Sequence, residues 1–242
     1  MTGAAIPGFV DVGGRRIRHR GLGDSGPVVV MVHGFGGSLD AWSANQAALA
    51  AGGRTVAALD LPGHGESSLD VGSGSLDELA ACVRDYLADA HPGRVQSLTL
   101  VGPAGFVQKI NADFIRGLVA ARSREELEPL MRQLYADPDR VTDAEVQQLV
   151  ASKQRAGAVG ALARIASSRY GGTPSGRSLR DVAGTVPTLI LWGAADTIVP
   201  PPPAEELARA GVSVHVLPGR GHMVQVEAAD EVNRLIGDFV GR

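Results

Sequence analysis

His222 in "VLPGRGHMVQVE" and Asp196 in "LILWGAADTIVP" each stand just beyond a run of apolar residues. A histidine after one strand end, with a carboxylate on the neighbouring loop, is the general-base pair of acyl-transfer chemistry. The imidazole takes a proton from a nucleophile, and the carboxylate fixes its tautomer and stabilises its cation. A third turn, His33-Gly34-Phe35-Gly36-Gly37-Ser38, follows "VVVMV". Its glycines let the backbone turn sharply, so that amide hydrogens can point into a cleft. Such donors hold the negative oxygen that forms when an acyl carbonyl is attacked, and the Phe35 amide is the candidate. Taken singly, Asp196 could cap the helix beyond it and His222 could be a hydrogen-bonded surface residue. Their order, acid then histidine near the C-terminal end, favours the catalytic pair.

Strands must hold these three turns side by side, and the apolar pattern supplies them. Gly13-Gly14 separates 9–12 from 15–20 and signals a hairpin. The run "PVVVMV" and the run before "DLPGHG" read as strands buried on both faces, as in parallel sheets. Segments 95–102, 185–193 and 212–219 supply three more. Helices are expected over 42–51 and over 75–90, where Ser75-Leu-Asp-Glu78 forms a capping box. A final amphipathic helix turns Val232, Leu235, Ile236 and Phe239 inward. Strand and helix alternate, which predicts an α/β fold with a doubly wound, mostly parallel sheet.

Residues 111–180 break the alternation. They are helical throughout, with capping boxes at Ser123/Glu126 and Thr142/Glu145, and Pro129 is placed to kink or split a helix. An all-helical insertion between parallel strands is best read as a lid over the strand ends, where open α/β sheets bind ligands. The expected organisation is one domain: core sheet over 1–105, helical lid over 106–182, core sheet again over 183–242.

Composition narrows the classes. The chain has 242 residues, 23 basic and 26 acidic, with a net charge of −3. That balance excludes the basic surface of a nucleic-acid binder. The segment "MTGAAIPGFV" has no basic region or long apolar run, and no window holds the ~18 apolar residues of a membrane span, so a cytoplasmic protein without membrane contact is expected. Cys82 is the single cysteine and falls within a helical pattern, as a small core residue. His64 and His91 lie in loops and His215 in a strand, with no metal-ligand spacing, so neither metal nor cofactor is implied. The match Gly21 to Gly26 to G-x-G-x-x-G precedes a strand instead of opening a helix, and no P-loop lysine accompanies the His33 turn.

Together "VHGFGGSLDAW", "ALDLPGHGESS", "LILWGAADTIVP" and "LPGRGHMVQVEAADEVNRLI" resemble the α/β-hydrolase fold family. Within it the chain is similar to the hydrolase-like domain of acyltransferase (dihydrolipoamide acetyltransferase) subunits of acetoin dehydrogenase complexes, a similarity that extends through "SLTLVGPAGF" and "NADFIRGLVAARSREEL". The resemblance implies Asp196 as acid, His222 as base and Phe35 in the oxyanion hole. It also implies a small acyl ester or thioester ligand.

The family places its nucleophile in a G-x-S-x-G turn between a strand and a helix. None is found. Gly63-His-Gly-Glu-Ser67 has its serine in the wrong place, "VGSGS" follows no strand, and Val101-Gly-Pro-Ala-Gly105 has no hydroxyl. Ser67 as a substitute nucleophile is outweighed by a local backbone role. By resemblance, a strand, elbow and helix of about 25 residues are missing between Ala90 and His91. Segment 95–102 is then expected to slide inward and pair with "VVVMV", bringing Gly102-Pro103-Ala104-Gly105 to the elbow's place. The expected function is that of the ester or thioester hydrolase or acyltransferase class with weak or no turnover. The alternative is a non-catalytic module binding an acyl ligand or a partner.

Overall fold

Gly13 and Gly14 sit at φ of +57° and +77°, the left-handed pair that a two-residue hairpin turn demands. They join strand β1 (Ile6–Val12) to β2 (Arg15–Leu22) in antiparallel register, as expected. The computed structural model describes residues 6–90, 95–104, 110–170, 186–209 and 211–240. Strand β4 (Thr55–Leu59) pairs antiparallel with β2 on one side and parallel with β3 (Val28–Val32) on the other. These four strands form one sheet in the order β1-β2-β4-β3. Helix α1 (Ser43–Ala51) precedes β4, and α2 (Leu76–Ala90) follows it. Cys82 and Tyr86 of α2 pack on Ile17, Ala57 and Leu59, which makes Cys82 the core residue its pattern predicted.

A second sheet holds β5 (Leu98–Val101), β6 (Thr188–Gly193) and β7 (Ser213–Leu217), all parallel, in that order. The expected pairing of 95–102 with 28–32 is not found. Strand β5 pairs only with β6, and β3 only with β4, among the described residues. The burial expected for β3 fails for the same reason. Only Met31 of that strand is buried and Val28 is 47% exposed, whereas β6 is buried along its whole length.

The two sheets are held apart by a shared core. Helix α9 (Ala229–Phe239) buries Val232, Leu235 and Ile236 against Met31, Val56 and Ala58 of the first sheet and Leu189 and Leu191 of the second. Asn45 of α1 also donates to Gln225 O at 3.1 Å and to Asn233 Oδ1 at 2.8 Å. Closing the gap would slide one sheet by a strand spacing of about 4.8 Å and tear this core. The gap is therefore the smaller loss.

Between β5 and β6 the described residues form four α-helices, α3 (Ala112–Ala120), α4 (Arg124–Arg132), α5 (Asp143–Gln154) and α6 (Ala158–Tyr170). Both predicted capping boxes form, at Ser123/Glu126 and Thr142/Glu145. Pro129 does not split its helix; α4 runs through it. Residues 105–109 and 171–185, where the ends of this segment fall, lie outside the described residues, as does His91. Helix α7 (Ala204–Arg209) starts directly after the proline run, and the short α8 (Val224–Glu227) leads into α9.

Candidate active site

Asp196 and His222 meet. The Oδ2 atom of Asp196 lies 2.8 Å from His222 Nδ1, with the Asp196 side chain fully buried and that of His222 24% exposed. The other carboxylate oxygen accepts from the backbone N–H groups of Ile198 and Val199 at 2.9 and 2.8 Å. Asp196 is thus aimed by its own loop before it meets the ring. Its loop follows β6, and the His222 loop follows β7, so neighbouring parallel strands set the spacing. Backbone bonds lock the two together: Ala194 N–H donates to Leu217 O at 2.9 Å and Ala195 N–H to Arg220 O at 2.8 Å.

The other end of the His222 loop is tied to the α4 side. Glu227 accepts from Gly221 N–H at 2.5 Å and from Ala136 N–H at 2.9 Å, and Met223 N–H donates to Leu134 O at 3.1 Å. Gly102, just past β5, faces the pair from below at φ +53°, and a Cβ there would lie 3.1 Å from His222 Nδ1 and 3.4 Å from Asp196 Oδ2. So the Gly102 turn abuts the imidazole where it meets Asp196, with His222 Cε1 also 3.2 Å from that Cβ position, although β5 does not pair with β3 as expected. Among the described residues, the bond to Asp196 is the only hydrogen bond of His222.

The His33–Ser38 turn is pinned by its own histidine. His33 Nδ1 bonds Gly34 O at 2.7 Å, and Nε2 accepts from Leu61 N–H at 3.0 Å, which fixes the neutral tautomer. Asp60, fully buried, accepts from Leu39 N–H at 2.7 Å and Glu66 N–H at 2.9 Å, joining this turn to the next. The His33 and His64 rings lie 4.9 Å apart, and His64 meets the Phe35 ring edge-on at 6.0 Å. The sequence showed His64 as an isolated loop residue; only folding brings the two histidines together.

Burial lowers His33 to about 4 and His64 to about 3, the latter helped by the neighbouring His33. In the unfolded chain both take up protons near pH 6.5. Below that pH the unfolded state binds more protons than the folded one, so stability falls as pH falls toward the folded values. Urea unfolding should therefore show a loss of about 2 kcal/mol between pH 6.5 and 5.5, above the carboxylate range. His64→Phe should halve it; a flat profile in the parent protein would contradict the burial argument.

Ser67 has the local role that outweighed a catalytic one. Its Oγ donates to Asp60 O at 2.7 Å and accepts from Arg18 N–H at 2.8 Å, and the residue is fully buried. Lys153, also buried, donates to Leu118 O at the end of α3, and burial lowers it to about 8. Among the described residues no group of three or more His, Cys, Asp or Glu could hold a metal ion. No helix among them is long and apolar enough to cross a membrane.

Phe35, Gly102 and His222 all line one cavity of about 1580 Å³. Its walls include every residue of β3 and of β5, with Val83 and Leu87 of α2 on one face and Ile236 of α9 on the other. The cavity thus runs from the Asp196–His222 pair down into the gap between the sheets.

Residues 27–85 match the model of the alpha/beta hydrolase fold, and residues 94–235, more than half the chain, match that of the alpha/beta hydrolase family. The chain belongs to the α/β-hydrolase family. This α/β-hydrolase is 41% identical over 258 aligned positions to the dihydrolipoyllysine-residue acetyltransferase component of the acetoin cleaving system of Pseudomonas putida, covering 97% of this chain and 69% of that one. The like-named component of Cupriavidus necator is 34% identical, covering 98% and 70%. The fold also superposes on a serine hydrolase involved in carbazole degradation with a TM-score of 0.79 at 20% identity, covering 98% and 99% of the two chains. In the Pseudomonas putida alignment, 97% of 242 residues is about 235, against 258 positions, so more than twenty positions of the relative face no residue here.

Proposed function

We propose that this α/β-hydrolase carries the acid, base and oxyanion parts of an ester or thioester hydrolase or acyltransferase and lacks the hydroxyl on which they act. His222 is the base, Asp196 its orienting acid, and the Phe35 amide the donor to the developing oxyanion. Segment 106–182, whose described part holds α3 to α6, is the lid over the cavity. The observation that carries the reading is the 2.8 Å contact of Asp196 with His222 on a cavity shared with Phe35, with no hydroxyl bonded to the ring among the described residues. An acyl ligand suits the apolar walls, and the relatives' names as acetyltransferase components agree with acyl chemistry. Those names also make a multi-component assembly a candidate setting.

The absent part is a strand, elbow and helix of about 25 residues between Ala90 and His91. Three observations support this: the unpaired facing edges of β3 and β5, the break between the two family matches after residue 85 and before residue 94, and the unmatched positions in the relative's alignment. Loss of a triad nucleophile costs on the order of 10⁶ in kcat, with a residue of catalysis from the oxyanion hole and binding. The protein should therefore leave p-nitrophenyl acetate almost unhydrolysed and take no covalent label from a fluorophosphonate probe, as read by intact mass. Labelling of any serine in this chain would sink the reading. The cavity favours one alternative, an acyl-binding protein without turnover, which predicts thermal stabilisation by a non-hydrolysable acyl analogue and no burst of product.

A further inference from the structure

The cavity has the geometry of a strand's place. Val28–Val32 on one side and Leu98–Val101 on the other present edges without ladder partners among the described residues, each strand being parallel to its own neighbour. Both strands end at the same site, with Phe35 beyond one and Gly102 beyond the other, so they run the same way. The faces above and below carry apolar side chains, Val83 and Leu87 of α2 against Ile236 of α9 and Val240 just past it. Val28 and Val95, at the start of the two flanking segments, are 47% and 54% exposed, so the end away from His222 is open to solvent.

An acyl chain alone fills such a space poorly. It covers the apolar walls but leaves two rows of backbone N–H and C=O groups unsatisfied. An extended peptide covers the walls with alternate side chains and bonds both edges at once. From this we propose that the gap between β3 and β5 binds an extended apolar peptide of about five residues, parallel to both strands. A peptide that continues from its strand into Gly-x-Ser-x-Gly brings a serine hydroxyl to His222. The occupant is a separate peptide segment, its length in the gap set by the five residues of β3 and the four of β5. The serine step rests on the roles proposed above for His222 and Asp196; strand uptake does not.

The test uses the full chain and a synthetic peptide in which about five apolar β-branched residues run into Gly-Ala-Ser-Ala-Gly. Two variants accompany it, one with the elbow serine changed to alanine and one with two prolines in the strand. The parent and alanine peptides should bind saturably and raise Tm by about 5 °C at a hundredfold excess over Kd. The proline peptide, which cannot bond both edges, should bind at least tenfold more weakly. With a fluorophosphonate probe, the serine Oγ forms a bond to phosphorus, the P–F bond breaks, fluoride leaves and the hydroxyl proton passes to His222. The label should appear on the parent peptide only when the protein is present, and not on the alanine peptide.

Equal binding of the proline peptide, or stabilisation by dodecanoate with none by any peptide, overturns strand uptake. Binding without labelling supports strand uptake and overturns the roles of Asp196 and His222. Labelling of the protein without peptide overturns only the claim that it lacks a nucleophile.

Discussion

Inserting a strand, a Gly-x-Ser-x-Gly elbow and a helix, about 25 residues in all, between Ala90 and His91 should raise the rate on p-nitrophenyl acetate by at least about 10⁴-fold. The physical basis is that the proposed base and its acid are already in contact, on a cavity that Phe35 also lines. Asp196 is held by two backbone donors and by His222 at 2.8 Å, and the His33 turn is pinned by Leu61 and Asp60. On the proposed reading the insertion supplies the attacking oxygen. The junction also lies where a crossover needs it, at the end of α2 and before β5, so the inserted strand reaches the gap without rewiring the chain. The same protein with His222→Ala should fall back to the rate of the parent. If the insertion chain folds with added helical far-UV signal and a higher Tm, yet shows no gain above tenfold, Asp196 and His222 are not the acid and base.

Gly193→Ala should lower Tm by about 10 °C, a loss of about 3 kcal/mol. A Cβ there would lie 2.0 Å from Gly221 O and 2.3 Å from Arg220 O, both backbone atoms of the His222 loop. Those carbonyls cannot step aside cheaply, because Ala195 N–H bonds Arg220 O at 2.8 Å and Glu227 holds Gly221 N–H. One methyl group therefore strains the loop that positions His222. Gly160→Ala in α6 is the control. A Cβ there meets nothing within 4 Å, so the change should stabilise the helix by up to about 1 kcal/mol. Equal Tm values for the two variants would show that the His222 loop yields more easily than its hydrogen bonds suggest.

These two outcomes separate what local pattern carries from what packing carries. The hairpin at Gly13-Gly14, the capping boxes at Ser123 and Thr142, and the final helix were legible because each depends on residues within one or two turns of each other. The meeting of Asp196 with His222 was legible for a related reason, since adjacent parallel strands place their following loops side by side. The His33–His64–Phe35 contact was not, because His64 lies in a separate loop and nothing in its neighbourhood of sequence marks its partner.

The sequence alone determined the α/β fold, the three turns at strand ends and the want of a serine in the expected motif, since these are matters of residue type, order and period. It did not determine whether β5 pairs with β3. Local preference is satisfied equally by β5 beside β3 or apart from it. The choice fell to α9, whose Val232, Leu235 and Ile236 bind both sheets into one core while β3 and β5 stay unpaired with each other among the described residues. Packing across the two sheets outweighs the unpaired edges, and that balance exists only in three dimensions.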